Sequence, residues 1–252
     1  MDSKQTDTQK SGDSATKKSN QFDGFDFDGL ELSMEAMLVA GVHFGHPKSR
    51  RNPKMQDFIF TTRDNVNIID LAQTVDLFET ALKFLAQTSA SGKKILFVGT
   101  KKQTQSFVVD LADYTGNPYV IERWLGGTMT NFGNIRKRVK YMISLEQQFA
   151  ADELGKYTKL ERLKKQEELE KLTRRMGGIK GMDALPAAVF VSDIKADHLA
   201  IREARRLGIP VVGISDTNAN PEEVDYPIPA NDDALSSLRY IFAHIAKTVG
   251  KK

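Results

Sequence analysis

Two apolar rhythms alternate along the chain. Short runs rich in β-branched and aromatic residues occur at 58–60, 66–69, 95–98, 119–121, 189–191 and 211–214, with the length and composition of buried strands. Between them apolar residues return every three or four positions, which places them on one face of a helix. Val75, Phe78, Leu82 and Leu85 make one such face, Phe107, Val108 and Leu111 a second, and Ala200, Ile201, Ala204 and Leu207 a third. A first helix is predicted over 34–42. A last one carries Leu235, Leu238, Phe242, Ile245 and Val249, with Asn231, Asp232 and Asp233 at its acidic start, where the helix dipole favours negative charge. Apolar strands alternating with helices predict an α/β protein: a doubly wound, mostly parallel sheet flanked by helices.

One connection breaks this alternation. More than sixty residues separate the strand near Ile121 from the strand near Val189, far beyond an ordinary crossover. The stretch is rich in Lys, Glu, Leu and Arg and has no proline before Pro186. Ile135, Val139, Met142 and Phe149 follow a heptad with Glu146 in the remaining slot, and Leu160, Leu163, Leu169, Leu172 and Met176 supply a less regular facing seam. The prediction is an inserted antiparallel coiled-coil helical hairpin that satisfies its own seam and touches the sheet only at its root. Gly155 lies between the two runs, and Gly126-Gly127 and Gly177-Gly178 mark the roots, where the chain must turn sharply. The chain thus divides into a polar, acidic tail over 1–29 expected to be disordered, a sheet domain over 30–130 and 181–252, and the hairpin over 131–180. Phe22, Phe25 and Phe27, set among aspartates, would suit a docking peptide, although a solubilising tail is the favoured reading.

Charge sharpens this division. The net charge is +3, yet residues 131–180 hold 13 Lys/Arg against 7 Asp/Glu, so the rest of the chain is net acidic. A basic appendage on an acidic body points to a polyanion touched through part of the surface, although a well-solvated hairpin would carry similar charges. The absence of cysteine excludes disulfides, thiolate zinc sites and cysteine nucleophiles. No apolar run approaches the roughly 20 residues of a membrane helix, and the polar start lacks the features of a secretory signal. A cytoplasmic protein with no membrane partner is expected.

A doubly wound sheet raises the alternative of a nucleotide-dependent enzyme. After the strand at 95–98 comes Gly99-Thr100-Lys101-Lys102, a strand-to-helix turn whose amides could hold phosphate. It matches neither the Walker pattern nor Gly-x-Gly-x-x-Gly, so a glycine turn with exposed lysines is favoured and no cofactor is expected. There is no Gly-x-Ser-x-Gly elbow, and His198 and His244 are placed on helix surfaces without a nucleophile nearby. Asp193 and Asp216 follow strands, where capping of turns explains them. His43 and His46, three residues apart at the end of the first helix, are the candidate metal ligands, with Asp193 or Asp216 as a third. Packing and hydrogen bonding of the two rings is preferred, and no metal is assigned.

RNA-facing candidates fall into clusters. Lys48, Arg50, Arg51 and Lys54 crowd a segment held extended by Pro47 and Pro53. Lys101 and Lys102 could touch phosphates from the sheet domain. Arg123 and Trp124 precede the first double glycine, and the indole could stack on an unpaired base or simply be buried beside Leu125. Arg136, Lys137, Arg138 and Lys140 open the hairpin, while Arg174, Arg175 and Lys180 close it. Folding the hairpin brings the opening and closing sets together at its root, where such clusters hold phosphates without reading sequence.

The residues also carry a resemblance. Met37-Leu38-Val39-Ala40-Gly41-Val42-His43-Phe44-Gly45-His46, Asn52-Pro53-Lys54-Met55, Ile95-Leu96-Phe97-Val98-Gly99-Thr100-Lys101, Arg123-Trp124-Leu125-Gly126-Gly127 and Gly177-Gly178-Ile179-Lys180 occur in this order. They are followed by Leu207-Gly208-Ile209-Pro210-Val211, Asp216-Thr217-Asn218 and Ile228-Pro229-Ala230-Asn231-Asp232-Asp233-Ala234. Over about 32–249 the chain resembles the bacterial small-subunit ribosomal protein two family. The resemblance implies an α/β domain with a coiled-coil hairpin, bound to small-subunit ribosomal RNA between the head and body of the subunit. It further implies neighbouring ribosomal proteins as partners, ribosomal protein one among them, and a structural rather than catalytic role. Arg51 stands where the family usually has an aromatic residue, Thr128-Met129 replaces the usual Met-Leu, and the tail before Leu30 lies outside the pattern.

Overall fold

The computed structural model describes residues 20–22, 26–151 and 157–250. Phe25, Gly155 and the tail before residue 20 lie outside the described residues. Five strands form a parallel sheet in the order β5-β4-β6-β7-β8: Tyr119–Val120, Ile95–Val98, Ala188–Val191, Val211–Ser215 and Tyr226–Pro229. Ile95 pairs with Ala188 and Val98 with Val191, while Val98 also pairs with Val120 on its other side. Alternate residues of each strand face opposite ways, and the two faces have separate apolar layers. Ile95, Phe97, Ala188, Phe190, Val212 and Ile214 pack under helices α2 (Leu71–Ala90), α3 (Lys102–Thr115) and α7 (Leu235–Val249). Leu96, Val98, Val189, Val191 and Val211 face α6 (His198–Arg206) and the hairpin.

The hairpin is α4 (Phe132–Ala150) and α5 (Lys159–Met176), which run back along one another with the Tyr141 hydroxyl donating to Glu168 at 3.2 Å. Its lower half does more than touch the sheet at a root. Val139, Met142, Leu145, Leu172 and Met176 are all buried in the apolar layer that covers the second face of the sheet. Leu145, rather than Glu146, fills the inner position of α4, and Glu146 pairs instead with Lys180. Leu160 and Leu163 are about half exposed or more, 61% and 51%, so the predicted seam does not continue through them. The α5 start is fixed by Thr158, whose hydroxyl accepts from the Glu161 amide while the Glu161 carboxylate accepts from the Thr158 amide.

The strands expected near 58–60 and 66–69 do not join the parallel sheet. They become β2 (Ile59–Arg63) and β3 (Val66–Ile69) of a separate antiparallel sheet that also holds β1 (Phe44–Pro47), in the order β1-β3-β2. Asp64 and Asn65, both at positive φ, make the two-residue turn between them, a geometry these side chains tolerate and tight hairpins require. The first helix, α1 (Met34–Ala40), stops earlier than predicted because Gly41 caps it in a left-handed conformation. Phe44–Pro47 then forms β1, so His43 and His46 flank and occupy a strand rather than a helix end. Thr217 ties the small sheet to the large one: its carbonyl accepts from the Asn52 amide at 2.8 Å and its hydroxyl from the His46 amide at 2.8 Å.

Part of the expected tail is packed. Phe22 is 2% exposed within the apolar layer of α2, α3 and α7. Its ring and that of Phe27 lie against Tyr114, and the Asn20 amide donates to the Asp110 carbonyl at 2.7 Å. These aromatics dock on their own chain, which removes their apolar area from water.

Candidate functional site

The site grows from the segment joining β5 to α4. It wraps around one carboxylate, that of Glu203 on α6. Glu203 accepts from the Trp124 indole at 2.9 Å and from the backbone amides of Gly127 at 2.7 Å, Met129 at 3.0 Å and Thr130 at 3.0 Å. The Thr130 hydroxyl donates to it as well, at 3.0 Å. Burial disfavours the charged carboxylate, yet the donors win and hold its pKa below the usual range. Gly127 at φ 88 allows the turn that aims these amides inward. Trp124 is thereby 5% exposed, packed in the second apolar layer. An indole enclosed to this degree presents little surface on which an RNA base could stack. Its role is to fix the root of the hairpin.

The hairpin cations divide by what they meet. Arg136 is taken up by the carboxylate and carbonyl of Asp183, Lys180 by Glu146, and Arg174 lies 3.8 Å from Glu122. Lys137, Arg138, Lys140, Arg175 and Arg123 are exposed, with no carboxylate in salt-bridge range among the described residues. Arg138 of α4 and Arg175 of α5 line one cleft at the hairpin root, joined by Lys171. Opening and closing segments therefore meet as their order along the chain predicted. Lys48 and Arg50 are exposed and Arg51 half-buried on a 3-10 turn, while Lys54 pairs with Glu222 at 2.8 Å. This segment lies by the small sheet.

Lys101 was expected at the surface and is not there. Its ammonium sits 2.8 Å from Asp232, 2.6 Å from Asp233 and 3.6 Å from Asp193, at the carboxyl ends of the parallel strands. Burial works against its charge, but the hydrogen bonds to Asp232 and Asp233 hold its pKa above that of a free lysine. Only Lys102 of that pair is exposed. His46 completes the cluster, with Nδ1 3.0 Å from Asp216 and Nε2 3.4 Å from Asp233. The hydrogen bond to Asp216 raises the imidazole pKa. Burial, with Asp193 and Asp216 nearby, pushes the Asp232 carboxyl up, and Lys101 opposes that rise.

His46, Asp216, Asp232 and Asp233 place ligand atoms within 4.8 Å of one another, a donor set of the kind that suits a divalent cation. His43 stands apart: its ring lies 4.0 Å from that of Phe44, and its buried Nδ1 has no hydrogen-bond partner among the described residues. Asp193 also caps its turn, accepting from the amides of Lys195 and Ala196. His244 is not on a helix surface but 4% exposed, between Phe78 and Tyr240.

The turn after β4 directs its donors to the protein's own carboxylates. The Thr100 amide and hydroxyl both donate to Asp197, and a side chain at Gly99 would collide with Ser192, Val108 and Thr104. Asp197 thus occupies the donors that an anion at this turn would need.

Glu203 and the Lys101 pocket were not foreseen. Glu203 lies 79 positions from Trp124 and gives no local signal. Asp232 and Asp233 do not cap the last helix: α7 begins at Leu235 with no side-chain cap, and Asn231 accepts from the amides of Asp233 and Ala234 in the turn before it. The two aspartates turn toward Lys101 instead.

Comparison with known proteins agrees with this fold. A family model described as Ribosomal protein S2 matches residues 37–251. The small ribosomal subunit protein uS2 of Roseiflexus castenholzii is 51% identical over 215 residues, covering 85% of this chain and 82% of that one. Its counterpart in Salinispora arenicola is 49% identical over 220 residues, 86% of this chain and 78% of the relative. The one in Chloroflexus aurantiacus is 46% identical over 215 residues, 85% and 90% respectively. With a match that runs from α1 through α7, the chain belongs to the ribosomal protein S2 family.

Proposed function

We propose that the chain is a structural constituent of the small ribosomal subunit that binds ribosomal RNA through the root of its hairpin. The observation that carries this reading is the meeting of Arg138, Lys171 and Arg175, from two helices, around one cleft without carboxylate partners among the described residues. Unpaired cations brought together at a fixed root match phosphates spaced along RNA, and phosphate contacts position a protein without reading sequence. Lys137, Lys140 and Arg123 extend the face, and the exposed Lys48 and Arg50 offer a second contact. Lys101, Arg136 and Lys180 serve the fold. In this reading 131–180 is the RNA-facing part of the chain and 30–130 with 181–252 is its body.

Like the family to which it belongs, the protein is structural and not an enzyme. Its partners are small-subunit ribosomal RNA and neighbouring ribosomal proteins. Leu38 and Val39 of α1, 56% and 89% exposed, provide an apolar face for protein contact, and ribosomal protein one is the partner that the sequence resemblance implies. The working compartment is the cytoplasm, and no helix of the described residues is long and apolar enough to cross a membrane. The test is co-sedimentation with protein-depleted small subunits. Replacing Arg138, Lys171 and Arg175 together by Gln should abolish it at moderate salt while unfolding stays cooperative. Undiminished co-sedimentation would move the RNA surface away from the hairpin.

A further inference from the structure

The cleft at the hairpin root has more in it than charge. It encloses about 430 Å3, within the roughly 300–1,000 Å3 of small-ligand sites. Its floor is apolar: Leu125 and Ile135 are half-buried, and Leu172 and Met176 are 7% and 5% exposed. Arg138, Lys171 and Arg175 stand at its rim against one carboxylate, Glu168, which is engaged by the Tyr141 hydroxyl. A surface that met only phosphates would gain nothing from an apolar floor, because phosphates stay hydrated and are held at the rim.

We propose that this cleft receives one unstacked RNA base, its faces against Ile135 and Leu172 and its flanking phosphates on Arg138, Lys171 and Arg175. The proposal rests on the RNA reading of the same surface and names the kind of RNA it takes: a bulge or loop rather than a continuous duplex. Three features favour a base over other occupants. The rim is positive, which matches the phosphates on either side of a splayed nucleotide. The planar guanidinium groups of Arg138 and Arg175 can stack on a base as well as bind phosphate. Finally, the apolar part of the lining is confined to Leu125, Ile135, Leu172 and Met176, a small patch for the successive apolar anchors of a partner helix. Trp124, turned inward onto Glu203, leaves the aliphatic floor as the base-contacting surface here.

The test uses the full chain and two short RNA stems, one fully paired and one carrying a single bulged, fluorescent aminopurine. The bulged stem should bind about tenfold more tightly at equal salt, as expected for burying a base face, and its fluorescence should change on binding. Ile135→Asn should remove that preference while leaving affinity for the paired stem and its salt dependence unchanged. Equal affinity for the two stems, with no fluorescence change in the wild-type protein, overturns the base site but leaves the RNA face standing. Displacement of the bulged stem by an acidic amphipathic peptide of equal affinity overturns it in favour of a protein ligand. Failure of both stems to bind at about 50 mM salt overturns the base site and the RNA reading together.

Discussion

The indole of Trp124 donates its N–H to the carboxylate of Glu203 across 79 positions of sequence. That carboxylate gathers the hairpin root by also accepting three backbone amides and a hydroxyl. Glu203→Ala would leave the indole and the amides short of an acceptor. The expected loss is about 2–4 kcal/mol of unfolding free energy, measured by urea titration. Because the folded pKa of Glu203 is depressed, its stabilisation is present above the unfolded carboxylate pKa of about 4.3 and lost as pH falls through the folded value. The gap between wild type and Glu203→Ala should therefore shrink in acid; a gap that widened would show that the carboxylate is not the acceptor that matters.

The hairpin cations should separate into two classes in RNA titrations. Lys137→Gln, Arg138→Gln, Lys140→Gln and Arg175→Gln should each flatten the log–log salt slope by about 0.7–0.9 if each makes one phosphate contact. Arg136→Gln, which loses Asp183, and Lys101→Gln should leave the slope unchanged. Trp124→Phe should likewise leave RNA affinity intact while lowering stability.

Lys101 is the ammonium within a group of aspartates. Lys101→Met at neutral pH should destabilise by about 3–5 kcal/mol, the cost of leaving buried charge unbalanced. The loss should be smaller at low pH, where the carboxyls protonate. Thermal unfolding at both pH values measures it, and an equal loss at both would show that packing rather than charge is at stake.

Two histidines should pull stability in opposite directions with pH. His244 is held near 4 by burial, with Lys247 also opposing its charge. Its folded pKa lies below the unfolded value of 6.5, so the protein loses stability as pH falls from about 6.5 toward 4. His46 is raised. Its contribution is complete below the unfolded pKa and fades as pH rises through the folded one. His244→Phe should flatten the acid limb of a stability–pH curve, and His46→Gln the limb above pH 6.5. Curves unchanged by both substitutions would refute the assignment.

Phe22 tests the docked segment. Phe22→Ala should cost about 3 kcal/mol, as for other buried phenylalanines, and lower the midpoint by several degrees. A solvated ring would leave it unchanged.

The parallel strands were legible because sheets covered on both faces leave uninterrupted apolar runs such as 95–98 and 211–214. The small sheet was harder. Its runs at 58–60 and 66–69 read as strands, but periodicity does not say which sheet a strand joins. The pair Asp64-Asn65 is the local signal of their hairpin, whereas Phe44-Gly45-His46-Pro47 has no strand pattern at all. At the site, the clustering of hairpin cations was visible from their order along the chain. Which of them Asp183 and Glu146 would consume was not, because those contacts cross 47 and 34 positions. Lys101 looks like any surface lysine until its aspartates, about 90 to 130 positions away, close over it. Phe22 beside aspartates resembles a solvated peptide, and only the α3 surface shows otherwise.

The register of Ile95 with Ala188 means that the centre of the sheet is made by segments with the whole hairpin threaded between them. The entropy of closing such a span grows only logarithmically, by about 0.6 kcal/mol for each doubling of length. Residues at the far end of α4 and α5 therefore add almost nothing to the cost of pairing β4 with β6. Chain length at this point is thermodynamically cheap for the body, and the reach of the hairpin can be set by the distance to its target rather than by the needs of the sheet.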